Sequence, residues 1–199
     1  MSYQALTLAV QPLSRVVCIH LDVHIWSGRK KLRPEDLGRL SGTFPPPDFA
    51  SLGSKKVCDP AALAVFHRLY RRAHRLCERV GIHFMKGYAI PETAIETVLL
   101  ELDELHEAFK VCLDEFLLTY EQDIRSWASA HPGYEQAVLR VMDSPETVRA
   151  RTWFAWQAFR IRCDSQEESA LMHQGISQLA QGMAGQLFHE VSQAAKQLF

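Results

Sequence analysis

Two stretches of this chain repeat apolar residues every three or four positions, and nothing else in it restricts the fold as strongly. Ala62, Phe66, Leu69, Ala73, Leu76 and Val80 keep that step over 59–80; Ile95, Val98, Leu102, Leu105, Phe109, Cys112 and Phe116 keep it over 91–130. Alternating steps of three and four return to one face of a helix, the rhythm of helices packed along a neighbour. The ends are marked as well. Asp59 and Pro60 are a capping side chain followed by a proline at the first turn, Gly81 closes the first segment, Pro91 opens the second, and His131, Pro132 and Gly133 stop it. With a connection of about ten residues, the pair predicts a long antiparallel, coiled-coil-like hairpin over 59–130. Its second helix would be on the order of 60 Å long at 1.5 Å per residue.

The remainder reads as further helices over 134–199. One covers Tyr134 to Met142, and one opens at Ser144, Pro145 and Glu146 and runs to about Arg162. A last one runs from about Glu167 to the end, with Met172, Ile176, Leu179, Met183, Leu187, Val191, Ala194 and Leu198 in one stripe. Gly175, Gly182 and Gly185 lie inside it, each costing roughly 1 kcal/mol against alanine, which makes sense where another backbone packs close. Ahead of the helices, Val17 to Trp26 alternates with period two: Val17, Ile19, Leu21, Val23 and Ile25 on one face, Cys18, His20, Asp22, His24 and Trp26 on the other. That is a half-buried strand, and its partner can be Tyr3 to Val10, the Ile82 to Ile90 loop, or another chain. Arg33 to Leu40 suits a short helical turn, and GTFPPPDFASLGSKKVCDP a loop. The expected fold is mainly α with one or two short N-terminal strands, divided into 1–58 (strand and basic loops) and 59–199 (helical).

Charge is distributed unevenly along the chain. Arg29 to Lys86 holds 13 Lys and Arg against 5 acids, and Glu92 to Asp123 holds 10 acids against Lys110 alone, although the net formal charge is only −1. Either a basic surface awaits an anionic partner, or the two blocks attract each other across the hairpin. With pI near 6.8, mutual attraction is favoured. No run approaches the roughly 18 apolar residues a membrane helix needs, and the start lacks a signal-peptide pattern, so a cytoplasmic protein is expected. Cysteines at 18, 58, 77, 112 and 163 form no CxxC pair and read as small buried hydrophobes.

Few residues point to chemistry. His20, Asp22 and His24 share one strand face at about 7 Å steps, a spacing from which two imidazoles can reach one metal ion. Such residues are also ordinary on a solvated strand face, and no HExxH supports a metal, so no metal, cofactor or catalytic set is assigned. GRKK (28–31) and GSKK (53–56) lack the glycine spacing and following helix of a phosphate loop. Arg29, Lys30, Lys31, Lys55 and Lys56 in loops, with Arg68, Arg71, Arg72 and Arg75 on one helix and Tyr70 interleaved, form a basic region suited to a protein partner or a phosphate backbone. Trp153, Phe154, Trp156 and Phe159 surround more of their expected helix than one seam needs, which makes Trp153 and Trp156 candidates for a partner contact.

The segments LDVHIWSGRKKLRPEDLG, ASLGSKKVCDPAALAVFHRL and GYAIPE resemble the N-terminal signature of the bacterial family called domain of unknown function 3150, and the resemblance extends through FRIR to GQLFHEV. The family has no established activity or catalytic residues to carry over. Its members typically sit on integrative and conjugative elements, near genes for a MoxR-type AAA+ ATPase and a von Willebrand factor A-like protein, and usually continue with more helix. The resemblance implies a non-enzymatic adaptor of a mobile genetic element, accessory to an AAA+ machine. An inhibitor of a host defence complex, or a nucleic-acid binder using 29–86, are the alternatives.

Overall fold

The computed structural model describes residues 15–37 and 52–161, together with helical backbone at Gly175, Gln178, Gly182 and Gly185. Strand β1 (Val16–His24) is followed by β2 (Arg29–Lys31), a 3-10 turn (Pro34–Leu37), β3 (Ser54–Lys56) and, through a 3-10 turn (Pro60–Leu63), helix α1 (Ala64–Val80). Then come β4 (Ile82–Phe84), β5 (Gly87–Pro91), α2 (Ile95–Ser129), the short helices α3 (Glu135–Leu139) and α4 (Pro145–Ala150), and β6 (Trp153–Phe159). Both expected long helices are present. The Asp59 carboxylate accepts the Ala61 N–H at 2.8 Å, and the Ser144 hydroxyl accepts that of Thr147 at 3.3 Å, as their capping roles require.

The expectation of a mainly α protein is wrong. Strands β4-β5-β1-β6, in that order, form a four-stranded antiparallel sheet, and β2 and β3 form a second, two-stranded one. The fold is mixed α and β. Two sequence readings failed to produce strands of the larger sheet, and the ribbon β2–β3 was read as loops. The segment after Gly81, read as a loop, is the β4–β5 hairpin, and β5 pairs with β1 in the register Val17↔Ile90 and Ile19↔Tyr88. Of the partners considered for β1, this is one. Met85 and Lys86, at φ 48° and 61°, make the tight turn. The second failure is the helix expected from Pro145 to Arg162. It ends at Ala150, and Trp153–Phe159 is a strand beside β1. Crowded aromatics lose side-chain freedom against a helical turn and pack well on a pleated surface, so tertiary pairing overrides the helical start.

The described residues fall into two compact units: 15–22, 71–105 and 155–161 in one, and 23–37, 52–70 and 106–154 in the other. In the first, β1 begins with Val17, Cys18 and Ile19 all buried, so its expected half-burial is replaced by cover on both faces. Cys18 packs with Phe84 and Ala89, with Val16, Ile82 and Ile161 alongside. Gly87 lies so close under β1 that a Cβ there would be 2.2 Å from the Ile19 carbonyl oxygen, and only glycine fits. Tyr88 reaches α1, its hydroxyl 2.6 Å from His74 Nδ1. The second unit is built on a chain of rings. Phe66 of α1 meets Phe109 and Phe116 of α2, Phe116 meets Tyr120, Tyr120 meets Trp26, and Phe109 meets Phe154, at centroid distances of 5.0 to 5.9 Å.

The helix expected from Glu167 onward lies outside the described residues except at the four positions named, as does Tyr3 to Val10. Among the described residues nothing lies within 4 Å of a Cβ added at Gly175, Gly182 or Gly185, so the close backbone inferred for them is not found there.

Candidate functional site

The two basic loops of the sequence are the two strands of one ribbon. Arg29 stands opposite Lys56, Lys30 opposite Lys55, and Lys31 opposite Ser54. Like charges facing each other across a strand pair are destabilising; the pleat puts Lys30 and Lys55 together on one face, and acids there offset their repulsion. Lys30 and Lys55 turn inward to acids. The Lys30 ammonium is 2.6 Å from Asp143 Oδ1, and that of Lys55 is 2.6 Å from Asp36 Oδ2. Arg29, Lys31 and Lys56 stay exposed, with Arg29 donating to the Ser54 hydroxyl at 3.1 Å. Gly28, at φ +60°, starts the ribbon where a Cβ would lie 2.4 Å from Cys58 Sγ. Backbone bonds from Val57 N–H to Gly28 O (2.8 Å) and from Leu32 N–H to Gly53 O (3.0 Å) close its ends.

Two carboxylates thus anchor the ribbon, and the sequence reading assigned neither. Asp143 accepts from Lys30 and from the Trp26 indole at 2.9 Å, while its carbonyl accepts the Tyr120 hydroxyl at 3.0 Å. Asp36, 1% exposed, accepts the Arg33 N–H at 2.8 Å and the Arg140 guanidinium at 2.7 Å in addition to the Lys55 contact. Desolvation pushes the carboxyl of Asp36 up, but Lys55, the Arg33 N–H and Arg140 together outweigh it, and it ends below the usual carboxylate range. The same balance, with Lys30, Trp26 and Arg151 as the opposing groups, lowers Asp143. The sequence held one usable signal: Asp36 follows Arg33-Pro34 at the spacing of a side chain capping its own turn.

Beside Asp36 opens a cavity of about 300 Å³. Leu32, Trp127, Tyr134, Ala137 and Val138 supply apolar wall, and Lys55, Lys56, Asp36 and His131 line it as well. The His131 ring lies 4.4 Å from that of Trp127, whose carbonyl it contacts through Nδ1 at 2.7 Å.

On α1, Arg68, Arg71, Arg72 and Arg75 are all exposed, within an arc of about 100° at 3.6 residues per turn. Their expected neutralisation by the acidic helix does not occur. Among the described residues the one ion pair between α1 and α2 is Arg79 with Glu101, at 3.3 Å and with Arg79 65% exposed. Tyr70 sits about 150° around the helix from the arginines, so it is not interleaved with them in space. Trp153 is partly exposed, stacked on His24 at 4.6 Å, and Trp156 is half-buried; both stand on the edge strand β6 rather than on a helix. The ring of His24 is further engaged by the Arg151 carbonyl. His20, Asp22 and His24 do not converge, and among the described residues no three His, Cys, Asp or Glu side chains are grouped to hold a metal.

What these features define is a mixed α and β protein with a lysine ribbon tied down by one buried and one partly buried acid, an arginine face on its first long helix, and a small aromatic-walled cavity. The family model for a protein of unknown function (DUF3150) matches residues 13–199, and the chain belongs to that family. No curated protein and no solved structure matches it. No helix among the described residues is long and apolar enough to cross a membrane.

Proposed function

We propose that this chain is a non-enzymatic binding protein that docks an acidic protein partner on the arginine face of α1. The observation that carries the reading is the exposure of Arg68, Arg71, Arg72 and Arg75 without an ion pair to any described residue. Like charges three and four residues apart destabilise a helix by about 0.2–0.5 kcal/mol per pair. Five such pairs, 68–71, 68–72, 71–75, 72–75 and 75–79, are a standing cost that docking an acidic surface would remove. Guanidinium groups are suited to this, since each offers a planar fork of donors to a carboxylate. Tyr70's place away from the arginines favours carboxylates over stacked bases. The family resemblance supplies the setting: an adaptor of a mobile genetic element, cytoplasmic, acting beside an AAA+ ATPase. An inhibitor seated on a host defence complex would use the same surface.

The test is a pull-down from a bacterial host with the native chain and with Arg71→Glu combined with Arg75→Glu. A stoichiometric protein partner kept by the native chain, lost by the variant and released by about 0.5 M salt, where screening shortens to a few ångströms, is the expected result. A partner retained equally by both chains overturns the assignment. A DNA or RNA mobility shift at low salt that the variant abolishes transfers the surface to nucleic acid.

A further inference from the structure

The acids that fail to meet the arginines of α1 have a free face of their own. On α2, Glu96, Asp103 and Glu104 are exposed and form no ion pair with a described residue. Leu100, 68% exposed, lies between them. At 3.6 residues per turn, Glu96 and Asp103 fall about 40° and 60° to one side of it and Glu104 about 40° to the other. Val111 and Leu118, also exposed, continue the same line along the helix, within about 20° of Leu100. The line stands roughly 170° around α2 from the buried Val98, Leu102, Leu105 and Phe109, and the arginine face roughly 150° around α1 from its own buried seam. The two seams meet where Phe66 and Phe109 pack at 5.0 Å, so the charged faces turn to opposite sides of the helix pair.

Within one chain the two faces cannot meet; between two chains they can. The lengths agree, since Arg68 to Arg75 spans about 10 Å of α1 and Glu96 to Glu104 about 12 Å of α2 at 1.5 Å per residue. The chemistry agrees as well. Arginine lays its methylene stem along apolar surface while its guanidinium reaches a carboxylate, which suits an acidic face with a leucine at its centre. The whole chain carries a formal charge of only −1, and a net charge near zero lets like molecules approach. We infer that the protein associates with copies of itself head to tail, the arginine face of α1 in one molecule seated on the acidic face of α2 in the next. Because the two faces lie on opposite sides, the contact is heterologous and builds a row or a closed ring rather than a two-fold dimer. This contact rests on the reading of the arginine face as a docking surface and gives that face an acidic occupant. An open row leaves one arginine face free at its end, where a host partner still has a place to dock.

Sedimentation velocity of the full chain tests this. A contact made by one helix face is at the small, weak end of protein interfaces, so the chain is followed from about 5 to about 500 µM. At about 0.05 M salt the average sedimentation coefficient should climb with concentration past that of a dimer, and at about 0.5 M salt it should return to that of a monomer. Arg71→Glu combined with Arg75→Glu, and separately Asp103→Asn combined with Glu104→Gln, should each weaken association about five-fold or more. All four positions are exposed, and circular dichroism checks that both variants keep the native fold. Mixed one to one, the two variants should form a complex that stops at two molecules, because each keeps the face the other has lost. A native chain that stays monomeric throughout, association unchanged at 0.5 M salt, variants that associate as the native chain does, or a mixture of folded variants that forms no complex overturns the head-to-tail contact. A monomeric native chain that still loses its host partner through Arg71→Glu and Arg75→Glu removes the second copy and leaves the arginine face as the docking surface.

Discussion

Replacing Asp36 by asparagine should cost this protein more stability than any other single polar substitution among the described residues. The side chain keeps its size and can still accept the Arg33 N–H, but its charge is gone, and Lys55, 10% exposed, is left as a buried cation beside a neutral amide. Breaking a buried pair in this way costs about 3–5 kcal/mol, because the surviving charge has lost its compensation. The Arg140 contact adds less than about 1 kcal/mol, since that guanidinium is 55% exposed and returns to water. For a chain of this length, about 2–4 °C of melting temperature per kcal/mol translates the loss to roughly 10 °C. Thermal and urea unfolding followed by circular dichroism measure it. Lys55→Met added to Asp36→Asn should recover most of the loss, because removing both charges removes the reason for the penalty. The pH dependence has a definite sign. The folded carboxyl of Asp36 titrates below its unfolded value of 3.8, so its contribution is complete above that value and is lost as pH falls through the lower folded pKa. Asp36→Asn should therefore flatten the acid limb of the stability curve. A single variant that loses under about 1 kcal/mol, well short of the buried-pair range, or a double variant no better than the single, refutes the buried-pair account.

Arg72→Gln should stabilise the protein by about 0.4–1 kcal/mol at low salt, since it removes the like-charge pairs with Arg68 and Arg75 at almost equal helix propensity; urea titration at low and at 0.5 M salt should show the gain shrinking. Gly87→Ala should destabilise by about 1–3 kcal/mol through forced separation of β5 from β1, a loss that amide exchange would locate at Val17 and Ile19. Burial pushes the thiol of Cys58 up to about 11 and that of Cys77 up to about 12, with the charges of Asp59 and Glu78 adding to it, and raises Cys18 as well. At pH 8 those three should react with a thiol reagent far more slowly than the partly exposed Cys112, and Cys112→Ser should remove the fastest phase they and Cys112 show together.

The helices were legible in the sequence because each carried its own local signals. Asp59-Pro60 and Ser144-Pro145 start where they should, and the apolar step from Phe66 to Val80 and from Ile95 to Phe116 marks the faces that become buried. The strands were harder. Trp153–Phe159 followed a genuine helix start, and its run of aromatics suits either a crowded helix or a covered strand; β1 decides, and β1 lies more than 120 residues away in sequence. The β4–β5 turn uses Met85 and Lys86 at positive φ in place of the asparagine and glycine that usually announce a hairpin. The ribbon was read as two separate loops for the same reason: its defining contacts, Lys30 with Asp143 and Lys55 with Asp36, join residues 113 and 19 positions apart. Charge alone could not separate Lys30 and Lys55, which are tied inward, from Lys31 and Lys56, which are exposed.

The two charged blocks hold the broader lesson. Summed along the chain, 13 cations and 10 acids on adjacent helices and loops look made for each other, yet a sum ignores direction. On α1 the buried seam of Phe66, Ala73, Leu76 and Cys77 is centred roughly 150° around the helix from Arg68, Arg71, Arg72 and Arg75. On α2, Glu96, Asp103, Glu104, Glu107 and Glu115 lie roughly 110–170° from the seam of Val98, Leu102, Leu105 and Phe109. When the seams pack, both charged faces point outward. Glu101, only about 70° from its seam, is close enough to touch Arg79, and it does. The same rhythm that makes the helices pair therefore keeps their charges apart, and it leaves α1 with a cationic face that no acid among the described residues neutralises.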